Sequence, residues 1–393
     1  MTELTGKTIV LGICGGIAAY KSAELVRLLG KAGAAVHVVM TENGARFVTP
    51  TTFQALSGNP VWTTPWDDRR ANSMSHIELT RMADALLIVP ASANMLAKLA
   101  GGIADDLLST LALARDCPLL VAPAMNRQMC NNPATQRNVR QLEADGIALI
   151  GPDSGSQACG EVGEGRMSEP DAIREALTAF LQPKPLAGKT VVMTAGPTYE
   201  PIDPVRGITN ISSGKMGYAL ARALAMAGAR VQLISGPVSL PTPWGVERTD
   251  VRTAQEMHLA VMQHVGQADI FIGVAAVADY RAVQVSTEKI KKSADTLSIE
   301  LVRNPDILAE VAALPAAPLC VGFAAESQNL DEYAERKLKT KNLRMVVGNL
   351  VQNAMGGDNT QVVLYDAQGR HPVEPGSKQT VAGRIVAHLT NML

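Results

Sequence analysis

Aromatic residues make up only 4% of this 393-residue chain, its formal net charge is −1, and its five cysteines are scattered. Each scarcity excludes something. Few aromatics leave little surface for stacking nucleobases, and a near-neutral charge supplies no basic field, so neither nucleic acid nor a membrane is an expected partner. No apolar run approaches the roughly 20 residues of a membrane span. "MTELTGKTIVLG" lacks the basic start and long apolar run of a signal peptide. Cys14, Cys117, Cys130, Cys159 and Cys320 are odd in number and show no CxxC spacing. That pattern argues against a disulfide framework or a zinc site, and for a reducing, cytoplasmic setting.

Hydrophobic residues reach 47% and charged residues 19%, the balance of a soluble globular protein. Ala, Gly, Val and Leu dominate, which suits tightly packed α/β layers. A chain this long divides naturally into two or three domains.

Two stretches are built alike. "GKTIVLGICGGIAAYKSAELVRLLGKAGAAVHVVMT" reads as strand, glycine loop, helix and second strand (Ile9 to Leu11, then Val36 to Met40). "GKTVVMTAGPT", from Gly188, and "ALARALAMAGARVQLISG" repeat the pattern. The proline-containing "LQPKPLAGK" between them reads as a linker, placing the boundary between residues 1–188 and 189–393. The fold expected is α/β: two doubly wound Rossmann-like domains, each with a crevice at the C-terminal ends of its strands. "ADALLIVPAS", "PLLVAPAMN", "ADIFIGVAAVADY", "LCVGFAAES" and "LRMVVGNLV" supply further strands, their continuous apolar runs indicating burial on both faces.

In the first half, "GICGGIAAYK" holds Gly12, Gly15 and Gly16 as GxxGG, which fits a tight turn into a helix as well as a phosphate loop. Ser92 and Asn94 of "PASANM" could simply cap a helix. His76 of "SHIELTRMADA" falls at or just before a helix start, where capping or packing is the commoner role. Cys159 is unusual: "QACGEVGEGRM" places a thiol on a polar, glycine-rich loop.

In this order, "GGIAAYK", "HIELTRMAD", "PASAN", "ADDLLST", "PAMN" and "ACGEVGEGRM" resemble the flavin-containing cysteine decarboxylases. The likeness is strongest to the phosphopantothenoylcysteine decarboxylase half of bacterial bifunctional coenzyme A enzymes. The resemblance implies a flavodoxin-like domain with FMN, held by Gly15, Gly16, Ile17, Thr41, Ser92, Ala93, Asn94 and Ala124. It implies an active site built at contacts within a trimer. By the same resemblance His76 is the catalytic histidine, Asn126 contacts the substrate carboxylate, and Cys159 is the acid that completes reduction of the enethiol. The cysteine loop is then a flap closing over substrate, with Gly160, Gly163 and Gly165 as its hinges. Such a substrate needs a cofactor, because loss of CO2 from an N-acylated cysteine leaves a carbanion with no adjacent electron sink. Cys14 stands where many relatives carry serine, and a thiol is the weaker donor to a phosphate.

In the second half, "AGPTYEPIDPVRGITNISSGKMG" is no P-loop: six residues separate Gly207 from Gly214, and Met216 follows Lys215. Thr209, Asn210, Ser212 and Ser213 gather near a helix start, as for a cap or, given their number, an anion or acyl-group site. Lys289, Lys291 and Lys292 lie in "KIKK", and Lys337 and Lys341 are spaced to share a helix face, where a solvated surface is the usual explanation.

"DPVRGITNISSGKMG", "AAVADYR", "EKIKK", "RNPDIL", "GFAAES" and the Lys337/Lys341 pair resemble the phosphopantothenate–cysteine ligase half of the same bifunctional enzymes. The resemblance implies CTP with Mg2+, an acyl-cytidylate made from 4′-phosphopantothenate, and displacement of CMP by the amine of cysteine. It implies that Asn210 contacts the acyl group and Lys289 stabilises phosphate charge. The CTP site would be lined by Gly273, Val274, Ala275, Asp279, Asn304, Pro305, Asp306, Ile307, Phe323, Lys337 and Lys341, with Asp279 able to act through the metal. A dimeric second domain combined with a trimeric first implies a homo-oligomer as large as a dodecamer. Two other readings compete. One is an FMN-binding regulatory protein, opposed by the intact His76, Asn126 and Cys159. The other is a nicotinamide dehydrogenase, opposed by the lack of GxGxxG.

Overall fold

The computed structural model describes residues 3–66, 75–291, 296–350 and 357–393, so Lys292 lies outside the described residues. The chain divides into two compact units, Met1–Leu181 and Gln182–Leu393.

In the first unit, β1 (Thr8–Ile13), β2 (Ala35–Met40), β3 (Ala85–Ala91), β4 (Leu119–Pro123) and β5 (Ala148–Leu149) form a parallel sheet in the order β2-β1-β3-β4-β5. The continuous apolar runs have the burial expected of them: every residue of β3 and β4 is buried. Helix Ala19–Lys31 lays Ala19, Ser22, Leu25, Val26 and Leu29 on the core, the helical spacing of an amphipathic face. The one polar member of that face, Ser22, donates to the Val89 carbonyl at 2.8 Å. Truncating the fully buried Leu25 to Ala should cost roughly 2–5 kcal/mol. A hairpin of β6 (Asp153–Ser156) and β7 (Val162–Arg166) comes after the sheet.

The second unit contains β8 (Thr190–Ala195), β9 (Tyr199–Pro201), β10 (Gly207–Thr209), β11 (Arg230–Ser235), β12 (Val246–Asp250), β13 (Ile270–Gly273), β14 (Tyr280–Ala282), β15 (Leu301–Arg303), β16 (Leu319–Glu326), β17 (Met345–Leu350), β18 (Asn359–Thr360), β19 (Val363–Asp366) and β20 (Gly369–Pro372). Its main sheet runs β12-β11-β8-β13-β16-β17-β19-β20. The six parallel strands thus follow the 3-2-1-4-5-6 order of a Rossmann sheet, whereas the first unit has the 2-1-3-4-5 order of flavodoxins. The order reverses between β1 and β3 in one sheet and between β8 and β13 in the other. Those two points are where ligands bind in open α/β sheets.

The paired "GKT" openings have a common structural cause. Asp84, just before β3, accepts from Lys7 Nζ and Thr8 N, both at 2.8 Å. Asp269, just before β13, accepts from Lys189 Nζ at 3.1 Å and Thr190 N at 2.8 Å. Each lysine–threonine pair pins the start of the first strand to the start of its neighbour. One feature departs from the all-parallel expectation: β19 and β20 join the sheet antiparallel. Only Ala367 and Gln368 connect them, too short a link to cross over to a parallel partner.

Candidate functional site

In the first unit the proposed cofactor residues all come directly after strand ends. The Cys14–Ala18 loop leaves β1, Thr41 leaves β2, Ser92 to Asn94 leave β3, and Ala124 to Asn126 leave β4. Thr41 and Ser92 cap helices, their hydroxyls accepting from Gly44 N at 3.1 Å and Met95 N at 3.3 Å. Helix Ala19–Lys31 has no such cap: the Ala18 side chain satisfies none of its first N–H groups. Two of those N–H groups are taken by the backbone, Ala19 N by the Gly16 carbonyl and Lys21 N by the Ala18 carbonyl, both at 3.0 Å, so an FMN phosphate would be met by the remaining N–H groups of this turn. Gly15 is needed because a Cβ there would lie 2.5 Å from Asn43 Cβ, while Gly16 opens onto free space and Ile17 is exposed. The donor set fits a phosphate-bearing cofactor at the β1/β3 switch point.

Cys14 does not sit as the loop donor that its position suggests. It is buried in the core group that includes Ala91, Met95 and Leu108. Burial pushes its thiol pKa up to about 12, against the opposing hydrogen bond with Ser92. The serine-to-cysteine difference therefore touches the packing beneath the loop before any phosphate.

The β6–β7 hairpin carries the cysteine loop onto Asn126. Asn126 caps the next helix by accepting from Gln128 N at 2.8 Å. Its amide donates to Glu161 Oε2 at 2.6 Å and reaches Cys159 Sγ and Gln157 Oε1, each at 3.5 Å. Gln157 also accepts from Arg127 N and donates to the Glu164 carbonyl, tying the loop to β7. Cys159 is exposed at this junction. Gly165 is there for close approach rather than hinge freedom: at φ 113°, a Cβ would lie 2.5 Å from the Met125 carbonyl oxygen. Gln157 and Glu161 were not singled out from sequence. Their position in the cysteine loop was the available signal. Hydrogen bonds from Gln128 and then Asn126 hold the Glu161 carboxyl below its usual range. A carboxylate thus occupies the Asn126 amide assigned to the substrate carboxylate.

His76 lies in the first turn of helix Ser75–Met82, where its carbonyl accepts from Thr80 Oγ1 at 3.0 Å. Among the described residues no hydrogen bond joins its ring to the Asn126–Cys159 group. Of the three residues expected to serve decarboxylation, Asn126 and Cys159 are in direct contact within one chain.

In the second unit a cleft of about 510 Å³ opens at the switch point, against β8, β13 and β16. Gly273, Ala275, Asp279, Asn304, Pro305, Asp306, Ile307, Phe323, Lys337 and Lys341 all line it. Val274 does not. Its side chain packs toward Gly217 and the opposite core, as alternation along an extended chain requires, so only its backbone could reach a ligand. Thr194, Tyr280, Arg303 and Leu308 line the cleft as well.

Lys337 lies on helix Leu330–Thr340, whereas Lys341 is the C-cap, one residue past its end. Both still face the cleft. Lys337 Nζ donates to the Phe323 carbonyl at 2.5 Å, and burial, then the neighbouring Lys341 charge, push its pKa down. Lys341 Nζ pairs with Asp306 at 2.6 Å. Burial pushes the Asp306 carboxyl up, but Lys341 and the Ala309 N–H outweigh it and leave it below its usual range. Asn304 is clamped by its amide to the Ala278 carbonyl at 2.8 Å and by Arg281 on its side-chain oxygen at 3.1 Å.

Asn210 donates to the carbonyls of Ala276 and Val277, both at 3.1 Å, beside the cleft residues Ala275 to Asp279. The hydroxyl cluster around it does not cap helix Lys215–Met226, whose N-cap, Gly214, has no side-chain cap hydrogen bond. Lys289 is exposed and outside the cleft wall. Its segment is held by a residue not singled out from sequence. Asp203 is 1% exposed, and its Oδ1 accepts from Val205 N and Arg206 N, both at 2.8 Å. Its Oδ2 accepts from the Arg206 guanidinium and from Ile290 N at 3.1 Å. The Arg206 side chain, then these N–H donors, hold the carboxyl far below its usual range. "DPVR" carries the signal, since Asp commonly opens a turn by accepting from the backbone two or three residues on.

Residues 1–182 match the family model described as Flavoprotein, and residues 186–393 match the DNA/pantothenate metabolism flavoprotein C-terminal domain. The chain is 51% identical over 388 residues to the coenzyme A biosynthesis bifunctional protein CoaBC of Haemophilus influenzae, covering 98% of this chain and 97% of that one. With the Escherichia coli K12 protein of the same name it shares 50% identity over 392 residues, 98% of this chain and 96% of that one. Among solved structures, the C-terminal domain of a coenzyme A biosynthesis bifunctional protein is 40% identical, covering 53% of this chain and 97% of that one, with a TM-score of 0.47. No helix among the described residues is long and apolar enough to cross a membrane.

Proposed function

The chain belongs to the family of coenzyme A biosynthesis bifunctional proteins, and from that premise we propose how its residues divide two reactions. It is an enzyme with phosphopantothenate–cysteine ligase and phosphopantothenoylcysteine decarboxylase activities, the second unit supplying the ligase and the first the decarboxylase. The observation that carries the assignment is the convergence on one cleft, at a Rossmann switch point, of ten of the twelve residues expected to bind CTP and substrate, Val274 and Lys289 being the exceptions.

In the ligase reaction the 4′-phosphopantothenate carboxylate attacks the α-phosphorus of CTP, and pyrophosphate leaves with the bonding pair of the α–β bridge. The cysteine amine then attacks the acyl carbon of the acyl-cytidylate and expels CMP. Lys337 and Lys341 neutralise the triphosphate, catalysis of this kind being mainly positioning and charge stabilisation. Phosphate must compete with Asp306 for Lys341, which makes Asp306 a placeholder in the free enzyme. Mg2+ arrives with the triphosphate, and Asp279 is the cleft carboxylate that would hold it. Asn210, braced on the Ala276 and Val277 carbonyls, holds the acyl group. Asp203 positions the segment from which Lys289 reaches the reacting phosphate.

For decarboxylation, the uncapped helix Ala19–Lys31 and the glycine loop would hold the FMN phosphate. When bound, FMN supplies a reversible hydride acceptor, letting the substrate CH2–SH carbon become a thioaldehyde that takes up the electron pair left by CO2. The Asn126 amide binds the substrate carboxylate after Glu161 gives it up. Cys159, brought over the site by the β6–β7 hairpin, donates the final proton to carbon. His76 of a neighbouring chain completes the site, in keeping with the lack, among the described residues, of a hydrogen bond from its ring to Cys159 or Asn126 within one chain. The enzyme works as a homo-oligomer in the cytoplasm.

The test is one incubation of purified protein with 4′-phosphopantothenate, cysteine, CTP and Mg2+, with products identified by mass spectrometry. The expected products are 4′-phosphopantetheine, CMP and pyrophosphate. Absence of CTP consumption would overturn the ligase assignment, and accumulation of the cysteine adduct would overturn the decarboxylase one.

A further inference from the structure

Away from both sites, Asp366 ends β19, His371 lies on β20, and His388 lies on the C-terminal helix Lys378–Thr390. Asp366 Oδ1 accepts from His371 Nε2 at 3.0 Å, and its Oδ2 accepts from His388 Nε2 at 2.7 Å. The carboxylate is only 5% exposed and is oriented from behind by Gln368 N, which donates to Oδ1 at 2.8 Å. The two imidazole rings lie 4.8 Å apart between centroids. Both rings line an open cleft of about 380 Å³ together with Arg344, Gln368 and Asn391.

A hydrogen-bonded triad would explain the contacts but not their convergence. Two imidazoles on separate elements present the same atom, Nε2, to one buried carboxylate beside a solvent-filled cleft. We infer that Asp366, His371 and His388 form a binding site for a divalent transition ion of the zinc class, completed by water from the cleft.

Zinc bonds of 2.0–2.1 Å in a tetrahedral arrangement separate neighbouring ligand atoms by about 3.3 Å. Each Nε2 already lies close to an Asp366 oxygen, His388 at 2.7 Å from Oδ2 and His371 at 3.0 Å from Oδ1, and with one atom taken from each residue no pair of ligand atoms is more than 4.8 Å apart. The longest closes by rotating imidazoles that are 32% and 24% exposed, with no demand on the backbone. To bind, each neutral ring carries its proton on Nδ1 rather than Nε2, so both Nε2 lone pairs and one carboxylate oxygen face the ion. Two imidazoles with one carboxylate favour zinc, cobalt, nickel or copper over magnesium or calcium, which prefer all-oxygen sites. Arg344 at the rim is exposed, so solvent screens its charge. The sequence expectation of no zinc site rests on cysteine spacing, which bears only on thiolate ligands, and this site uses no thiol. A bound ion would clamp the β19–β20 hairpin to the C-terminal helix.

The test uses the full-length, FMN-loaded protein, stripped with EDTA, exchanged into metal-free buffer and titrated with zinc chloride by calorimetry. Thermal melts with and without zinc run in parallel. One saturable equivalent per chain and a melting temperature raised by zinc are expected. His371→Gln, on the hairpin, and His388→Gln, on the helix, should each weaken binding at least about tenfold, a loss that even an outer-shell partner can cause, and abolish the thermal shift. Circular dichroism and ligase turnover with Mg2+ alone identify any variant that has not folded, and either folded variant suffices. No saturable equivalent in the wild type overturns the site. Undiminished affinity in a folded variant also overturns it, because the zinc would then be held elsewhere, as by the exposed Cys159.

Discussion

In the second unit, residues as distant in sequence as Gly273 and Lys341 meet on the wall of one cleft. In the first unit, Asn126 and Cys159 meet through the β6–β7 hairpin while His76 stays on a helix that no hydrogen bond among the described residues joins to them. Both sheets are parallel beside their first strand, both reverse order there, and both place their chemistry on the same edge. The difference lies in the connections that leave the strands. Loops after β13, and the helix after β16, fold back over the second sheet. The first unit instead projects a short hairpin carrying an exposed thiol. Sheet topology therefore locates a site, whereas the connections decide which side chains reach it.

The sharpest separation of the two sites is a crossed pair of variants. Cys159→Ser should lower turnover of phosphopantothenoylcysteine by roughly 10²–10⁴, as for loss of a general acid, and leave CMP release from the ligase reaction unchanged. Asn210→Asp should lower CMP release by about 10²–10³, as for loss of a preorganised donor, and leave decarboxylation intact. Any variant that reduced both activities would break the division.

A smaller effect concerns charge in the cleft. Lys337 has its pKa lowered by burial and then by Lys341. Triphosphate binds the protonated ammonium and raises its pKa. Affinity for CTP is therefore present below the lowered pKa of the free enzyme and falls as pH rises through it, by up to about tenfold per pH unit. The KM for CTP, measured across alkaline pH, should rise before ordinary lysines titrate. Lys337→Arg, which stays charged, should remove that rise.

The smallest effect belongs to the flap. Glu161→Gln removes the carboxylate that occupies the Asn126 amide and should lower the KM for phosphopantothenoylcysteine by less than about fivefold, as befits an exposed contact. The ligase KM values should not move.

Much of this was legible in the sequence because it depends on local pattern. Continuous apolar runs marked the parallel strands, and the hydroxyl after one of them marked the cap at Ser92. What escaped depends on register and distance. The side chain of Val274 turns away because neighbours on an extended chain alternate, and a motif match does not say which of two neighbours faces the ligand. Lys341 reaches the cleft from beyond the helix end, so the helical spacing with Lys337 reached the right place by a different geometry. Asp203 holds the Lys289 segment across a gap of 87 residues, which no local spacing can reveal. Asp366, His371 and His388 come from two strands and a helix. Cys14 read as a loop donor because its position in the motif says nothing about burial.

Central to the proposed division of labour is the reading that the decarboxylase site is shared between chains. Mixing purified His76→Asn and Cys159→Ser proteins under conditions that let subunits exchange, and assaying CO2 release from phosphopantothenoylcysteine, tests it most directly. Recovery of activity well above either variant alone is the expected result, since some mixed sites would combine an intact His76 with an intact Cys159. Full exchange, verified by tagged subunits, with no recovery would contradict the claim and place His76 and Cys159 in the same chain's site.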